Sequence, residues 1–521
     1  MDFNRITLTD AAALTAQWAT PHEERVRDYL NDHLLGKPGV LNDISYWTGP
    51  MLPAGHPGYP GMRDSLLRAF VAGNVFRQAI EQFAESVTGL SDWQLNPDRT
   101  ERASPDPTDT EEVVTAWWDR QGIESTLDQF MVRLAAHGRA PLRPVLTASA
   151  LQRDPERGTV TLRPARTLDE ALSRIRIRIP DLTQAGLYED PDTLDTVSVY
   201  HYSVSGRNEL ELSWVLPDGR TVLKLLRDRA APQVATLDLG GRHWLVEARI
   251  PRGAASPSML NNQDALGVSD TMLNRNTHYA GYVEVYAIGV APPGRWEGPD
   301  GAPAQPGDPG ARWVPAPVTT GPGTRNFYQP AERTSVTTDA DGNTTQSATF
   351  APAEIGRFTP VEPAAIQAGI DRFEGNIYRE ARQAFMLMSD KASASGRSRE
   401  VAAGSFITGG GKLKRAAEQA TRDLLELVLH IAALMLPPAQ ARELRSLRAT
   451  VNARVLAFKP SDTERQQNRE DYNAGGIDWE TYALNTGLIT DPNTTRARIQ
   501  ADARASPNPQ PDPTPEDGPD A

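Results

Sequence analysis

The stretch that comes nearest to a phosphate cradle in this chain is Gly409-Gly410-Gly411-Lys412. A P-loop needs a further glycine five positions before its Gly-Lys pair and a Ser or Thr directly after it, whose hydroxyl holds magnesium. Phe406 and Leu413 occupy those places and no strand pattern precedes the segment, so a flexible glycine joint ahead of a helix is the better reading. The histidines, among them His137, His201, His243, His278 and His430, are scattered singly, without the HxxxH or HExxH pairs of a zinc site. His430 has apolar neighbours, as a packed core histidine does. Gly404-Ser405 lacks the second glycine that a GxSxG nucleophile elbow requires. Cysteine is absent, which excludes disulfides, thiolate metal sites and cysteine nucleophiles. No catalytic constellation, metal set or cofactor motif emerges, and the chain is expected not to be an enzyme.

What remains is a basic cluster in and behind "MSDKASASGRSREVAAGSF", residues 388–406. Lys391, Arg397, Arg399, Lys412, Lys414 and Arg415 have only Asp390 and Glu400 as acidic companions. A segment this small, polar and hydroxyl-rich suits a solvated linker between helices. It also suits point-charge contact with a phosphate backbone, which needs no base readout. The formal net charge of -13 speaks against a protein that coats nucleic acid over its whole surface, but it permits local basic rings on an acidic body.

These residues need rigid supports, and the sequence supplies them on either side. Between Pro363 and Met388 the apolar positions Ile366, Ile370, Phe373, Ile377, Ala381, Ala384 and Met388 step by threes and fours. That spacing predicts a helix of roughly 35 to 40 Å with one narrow packing stripe. Leu413, Ala417, Ala420, Leu424, Leu427, Ile431 and Leu434 predict a second helix, ended by Pro437-Pro438. Upstream, residues 1–150 read as mostly helical, with a cap at Thr110 before Glu111 and Glu112, and a switch to extended chain at Pro141 and Pro144. From about 158 to 250 the period becomes two. "TVSVYHYSV", "NELELSWVL", "RTVLKLL" and "HWLVEARI" predict an antiparallel meander with Trp214 and Trp244 as packing residues.

Residues 256–282 read as a further helix, followed by the strand "YVEVYAIGV". The Pro/Gly-rich excursion near 291–325 cannot form a packed core alone. A hairpin is expected around Asp341-Gly342-Asn343. "RVLAFKP" reads as one strand returning to a sheet, "DTERQQNREDYNAGGIDWETYALNTGLI" as two short helices, and the Pro/Asp-rich end as disordered. At 521 residues, with 39% hydrophobic and 23% charged residues, the chain is globular and large enough for two to four domains. No apolar run approaches the ~20 residues of a membrane span, and no signal peptide is expected at the start.

Taken in order, these pieces resemble the portal proteins of tailed double-stranded DNA bacteriophages, of the long-tailed type. The resemblance rests on "AHGRAPLRP" after a helix, on the meander with "ELSWVLPDGRTVLKLL", and on "IYREARQAFMLMSDKASASGRSREVAAGSF". It rests also on the late "QNREDYNAGGIDWETYALNTGLITDP". It covers about residues 60 to 500; Asp478 stands where the family pattern has Ser, and the insertion near 291–325 is longer than usual. The resemblance implies an α+β portal fold. A wing would span 1–255, a first stem helix 256–282, a clip 283–362 and a second stem helix 363–388. A tunnel loop would follow at 389–411, a long wing helix and return strand at 412–460, a crown at 461–500 and a disordered tail at 501–521.

It further implies a ring of subunits, dodecameric in the family, at one capsid vertex of the virion, through which DNA is packaged and ejected. Lys391, Ser393, Ser395, Arg397 and Arg399 would face the DNA, with Lys412, Lys414 and Arg415 as further contacts. The expected partners are double-stranded DNA without sequence preference, the terminase large subunit, the head-tail adaptor, and the major capsid and scaffolding proteins. No membrane and no cofactor enter this picture. The alternatives are another head-tail or baseplate component, a packaging-motor enzyme, and a carbohydrate-active enzyme built on the Trp-bearing meander.

Overall fold

A computed structural model describes residues 3–34, 71, 73–97, 108–153, 160–204, 206–281, 285–291, 294–305, 308–315, 329–330, 332–338, 344–350, 352–357, 362–383, 396–455, 462–476 and 482. Of the described residues 47% are helical and 25% lie in strands, so neither type dominates and the fold is α+β. The chain divides into two compact units. One comprises Met1–Lys37, Val75–Asn261 and Gly375–Ala521; the other comprises Pro38–Asn74 and Asn262–Glu374.

In the first unit, strict apolar alternation produces a five-stranded antiparallel meander. Its strands Ala185–Glu189, Thr196–Val204, Arg207–Val215, Thr221–Arg227 and Gln233–Leu237 pair in chain order. Val197, Val199, Leu210, Leu212, Trp214, Val222 and Leu226 form an apolar face, and the N-terminal Phe3, Ile6, Leu14 and Trp18 cover it. Lys224 shares that face by parity. Its buried ammonium is satisfied by two backbone carbonyls, donating to Asn4 O at 2.6 Å and Ile6 O at 2.8 Å.

"HWLVEARI" does not join this meander, contrary to expectation. Val246–Arg249 pairs instead with Arg139–Leu146, which also pairs with Ile175–Arg178 in a separate three-stranded sheet. Gly240 and Gly241, both at positive φ, turn the chain out of the meander between the two. Alternation specifies which side chains share a face but leaves the partner strand open. The two sheets meet through Arg143, whose Nε donates to Glu211 Oε1 at 2.8 Å, and through the Trp244 amide, which donates to Ser213 Oγ at 2.8 Å. Trp214 and Trp244 are both buried, as expected. Pro141 and Pro144 do stand in extended chain, directly after the helix Ile123–His137.

The helix Gly396–Ala433 runs for 38 residues, about 57 Å at 1.5 Å per residue. It starts far earlier than Leu413, so residues 396–411 are not loop. Gly409-Gly410-Gly411 lies inside it and is no joint. Each glycine costs about 1 kcal/mol against alanine in a helix, and tight packing offsets this at two of the three. A Cβ at Gly410 would lie 2.8 Å from Val455 Cγ1, and one at Gly409 3.3 Å from Phe83 Cζ.

The apolar positions that predicted this helix account for only one of its buried sides. From Leu424 to Ala433 it is buried on every side, with Leu425, Val428, Leu429 and Ala432 enclosed as fully as Leu424, Leu427 and Ile431. It is the central core helix of its unit, wrapped by the strands Val246–Arg249 and Arg448–Val451 and the helices Leu168–Ser173 and Pro438–Ser446. Pro437-Pro438 does not simply end the chain's helical run, since Pro438 opens that next helix. Proline suits a first helical turn, where its missing N–H costs nothing.

Smaller corrections share a theme: local signals sat close to the right place. The helix Asp109–Gln121 is capped by Thr108 rather than Thr110, with Glu111 completing the reciprocal capping box. Arg454–Val455 of "RVLAFKP" pairs with Val87–Thr88, the rest of that stretch lying outside the described residues, while the unanticipated Arg448–Val451 pairs with Trp93–Asn96. Of the two late helices, Asp462–Asn473 is present; the expected second one and the Pro/Asp-rich tail lie almost wholly outside the described residues.

The longer segment of the second unit, Asn262–Glu374, is an excursion. The chain passes into it within the helix Pro257–Gly281 and returns within the helix Pro363–Glu380. Between them, outgoing and returning strands zip together in nested antiparallel pairs. Val285–Ile288 pairs with Glu354–Arg357, and Val290–Ala291 with Gln329–Pro330. Two hairpins branch from this ladder. Glu332–Thr338 with Thr344–Phe350 is the expected hairpin, its turn residues 339–343 lying outside the described ones. The other, Gly294–Glu297 with Arg312–Pro315, falls in the Pro/Gly-rich stretch. There Trp296 and Trp313 stand directly opposite each other, edge to face at 5.7 Å between ring centroids. An aromatic cross-strand pair of this kind orders a stretch whose composition alone argues for loop.

Candidate nucleic-acid interface

The expected DNA-facing residues are distributed unevenly. Lys391, Ser393 and Ser395 lie outside the described residues. Arg397 and Arg399 belong to the first turn of the helix Gly396–Ala433, their side chains likewise outside the description. Lys412, Lys414 and Arg415 sit near the middle of that helix, and the structure separates them. Lys414 is half-buried, 3.6 Å from Glu418, whose carboxylate also accepts from Ala453 N at 3.0 Å. It belongs to the packing of the helix on its strand. Arg415 is exposed, and its Nε donates to Gly411 O at 3.2 Å in its own helix. Lys412 is exposed and borders a cleft.

That cleft, about 660 Å³ in volume, lies wholly within the first unit. Its lining brings Lys412 together with two cations that the sequence reading did not select, Arg252 and Arg382. Arg252 stands in the turn between the strand Val246–Arg249 and the helix Pro257–Gly281. Arg382 lies just past the helix Pro363–Glu380, where Gln383 N donates to Tyr378 O at 2.7 Å and closes the last turn. A residue at this position takes left-handed backbone, normally the province of glycine. Arg382 does so with φ 64°. This turn also ends the helix short of Met388, although its apolar stripe continues through Ala384. Gln383 Nε2 anchors the turn by donating to Ala79 O at 2.6 Å.

The one carboxylate among the cleft's described lining residues is Glu380. It accepts hydrogen bonds from the hydroxyls of Ser256 and Ser258, the latter at 2.6 Å. Ser256 in turn caps the helix Pro257–Gly281, its Oγ accepting from Met259 N at 3.0 Å. The side chains of Arg252, Arg382 and Lys412 make no hydrogen bond or ion pair to any described residue. Nothing in the sequence announced this grouping, because its members come from three distant segments and Arg382 carries no helix-stop signal.

Elsewhere the histidines take unrelated roles. His137 Nδ1 meets Glu23, and His243 Nδ1 lies 2.9 Å from Ser213 O. His430 is buried with no hydrogen-bond partner among the described residues at either ring nitrogen. Burial, reinforced by the nearby Arg242 guanidinium, pulls its pKa down to about 4. Among the described residues no three His, Asp or Glu side chains converge in a way that could hold a metal. None of the helices described is long and apolar enough to cross a membrane. Compared with known proteins, the chain matches no family model and no curated protein.

Proposed function

We propose that the chain is a subunit of a ring-shaped portal at one vertex of a bacteriophage capsid. In this reading it forms the channel for genome packaging and ejection and acts without enzymatic activity of its own. The supporting observation is topological. A small β-rich unit is reached through one long helix, Pro257–Gly281, and left through another, Pro363–Glu380. The chain then traverses a basic segment into a 38-residue helix that forms the core of the first unit. A helix-bounded β insert followed by a basic segment and a long helix is the order of stem, clip, stem, tunnel loop and wing helix that the portal resemblance implies.

The physical use follows from charge. Many copies at a formal -13 surround the bore with a negative field that keeps DNA from adhering. Lys391, Arg397 and Arg399, repeated around the ring, supply weak salt-dependent contacts to phosphate without sequence preference. The β-rich unit offers the docking surface for the terminase large subunit and later the head-tail adaptor, and the ring's rim meets the major capsid and scaffolding proteins. Electron microscopy of the purified protein tests this most directly. Rings with a central hole wide enough for duplex DNA are expected; monomers or compact dimers at all concentrations would overturn it. Replacing Lys391, Arg397 and Arg399 together by Ala should leave rings intact while impairing DNA packaging or retention.

A further inference from the structure

We propose that the cleft lined by Arg252, Arg382 and Lys412 binds a phosphate-type oxyanion. The inference stands on the geometry of the first unit and does not need the portal reading. Elsewhere in this unit buried guanidinium groups are matched to carboxylates, Arg143 to Glu211 and Arg242 to Glu426. Here three exposed cations border one cavity, and no described residue pairs with their side chains. In a protein with a formal charge of -13, carboxylates are not scarce. The one at hand, Glu380, is instead held by two serine hydroxyls. Three cations against that one carboxylate leave the described lining with a net charge of +2.

The positive end of the helix Pro257–Gly281 at the cleft already faces the Glu380 carboxylate, so the cations carry the field that a further anion meets there. Arg382 is held in left-handed backbone, which costs a non-glycine residue about 1–2 kcal/mol. Strain of this order is characteristic of ligand clamps. Its guanidinium lies over Gly409, where a Cβ would come within 2.7 Å of Nη1 and 3.3 Å of Cδ. Any side chain at 409 would displace it. A guanidinium fork beside an ammonium is the donor set that phosphate oxygens take, the fork binding two oxygens and the lysine acting as a point charge. The volume, about 660 Å³, leaves room for a pyrophosphate or a backbone phosphodiester with its flanking sugars.

The two possible sources, a free polyphosphate and a nucleic-acid backbone, are distinguished by titrating the intact protein separately with inorganic pyrophosphate and with a short fluorescent DNA duplex. Binding of either probe is expected. Losing one charge-assisted contact should weaken it about tenfold in each of R252Q, R382Q and K412Q. R442Q, which alters an exposed charge on the helix Pro438–Ser446 outside the cleft, should bind as the parent does. Two variants guard against misfolding. R382G removes the guanidinium while suiting the left-handed backbone, so binding should fall with thermal stability unchanged or raised. G409A keeps every charge and displaces the Arg382 guanidinium, and it should weaken binding as R382Q does with thermal stability near that of the parent. Pyrophosphate binding lost in the cleft variants identifies a free polyphosphate; duplex binding alone, lost in the same variants, identifies the backbone. Failure of both probes, or equal sensitivity to R442Q, overturns the proposal.

Discussion

Replacing Gly409, Gly410 and Gly411 by Ala one at a time separates the effects that meet in the long helix. In a helix interior the exchange is worth about 1 kcal/mol in alanine's favour. At Gly411 nothing lies within 4 Å of the added methyl, so G411A should show that whole gain. At Gly410 the methyl would stand 2.8 Å from Val455 Cγ1 and 3.5 Å from Ser86 Oγ. Valine is stiff at χ1 and Val455 sits in a paired strand, so relief requires a backbone shift. Overpacking of this kind costs about 1–3 kcal/mol, and G410A should end up to about 2 kcal/mol below the parent. At Gly409 the closest atom is the mobile end of Arg382, with Phe83 Cζ at 3.3 Å, so G409A should lie near neutral while displacing the guanidinium. Thermal unfolding monitored by circular dichroism gives the ranking directly. The expected order is G411A above the parent, G409A close to it, and G410A below. A uniform gain at all three positions would refute the packing of this triplet, and a loss at Gly411 would refute the helix.

The remaining predictions follow from buried polar groups. An unfolded imidazole takes up its proton near pH 6.5, whereas His430 in the fold takes none until about pH 4. Between those values the unfolded chain binds more protons, so stability should fall as pH drops from about 6.5 to 4, by roughly 3 kcal/mol; H430L should flatten that part of a pH–stability curve. Removing one partner of the buried Arg143–Glu211 pair, as in R143A, should cost about 3–5 kcal/mol, whereas the double variant R143M/E211L should recover most of it in thermal melts. T108A deletes the cap that accepts from Glu111 N and should lower stability by about 1 kcal/mol.

Periodicity carried much of the fold. The alternation of Val197, Val199, Leu210 and Leu212 specified strands and faces, and the steps from Leu413 to Ile431 specified a helix and one of its buried sides. What periodicity could not convey was environment. Leu425, Val428 and Leu429 sit on the flanks of the stripe, and only the elements wrapped around them make them core. Glycine misled for the same reason: as local evidence the triplet reads as a joint, yet contacts with Phe83 and Val455 keep it helical. The candidate site was legible only at Lys412. Arg252 and Arg382 joined it through tertiary placement, and a left-handed arginine leaves no trace in residue type.

The clasp on Lys224 has a consequence for how the polypeptide matures. Its ammonium is held by carbonyls 218 and 220 positions earlier in the chain. During synthesis at 5–20 residues per second, those first residues emerge roughly ten to forty seconds before the lysine they must clasp. Throughout that interval Phe3, Ile6, Leu14 and Trp18 have no sheet to cover. The newborn segment from Phe3 to Trp18 is thus a greasy, unsatisfied ribbon whose docking waits on the meander, and closing so long a loop makes it a late step.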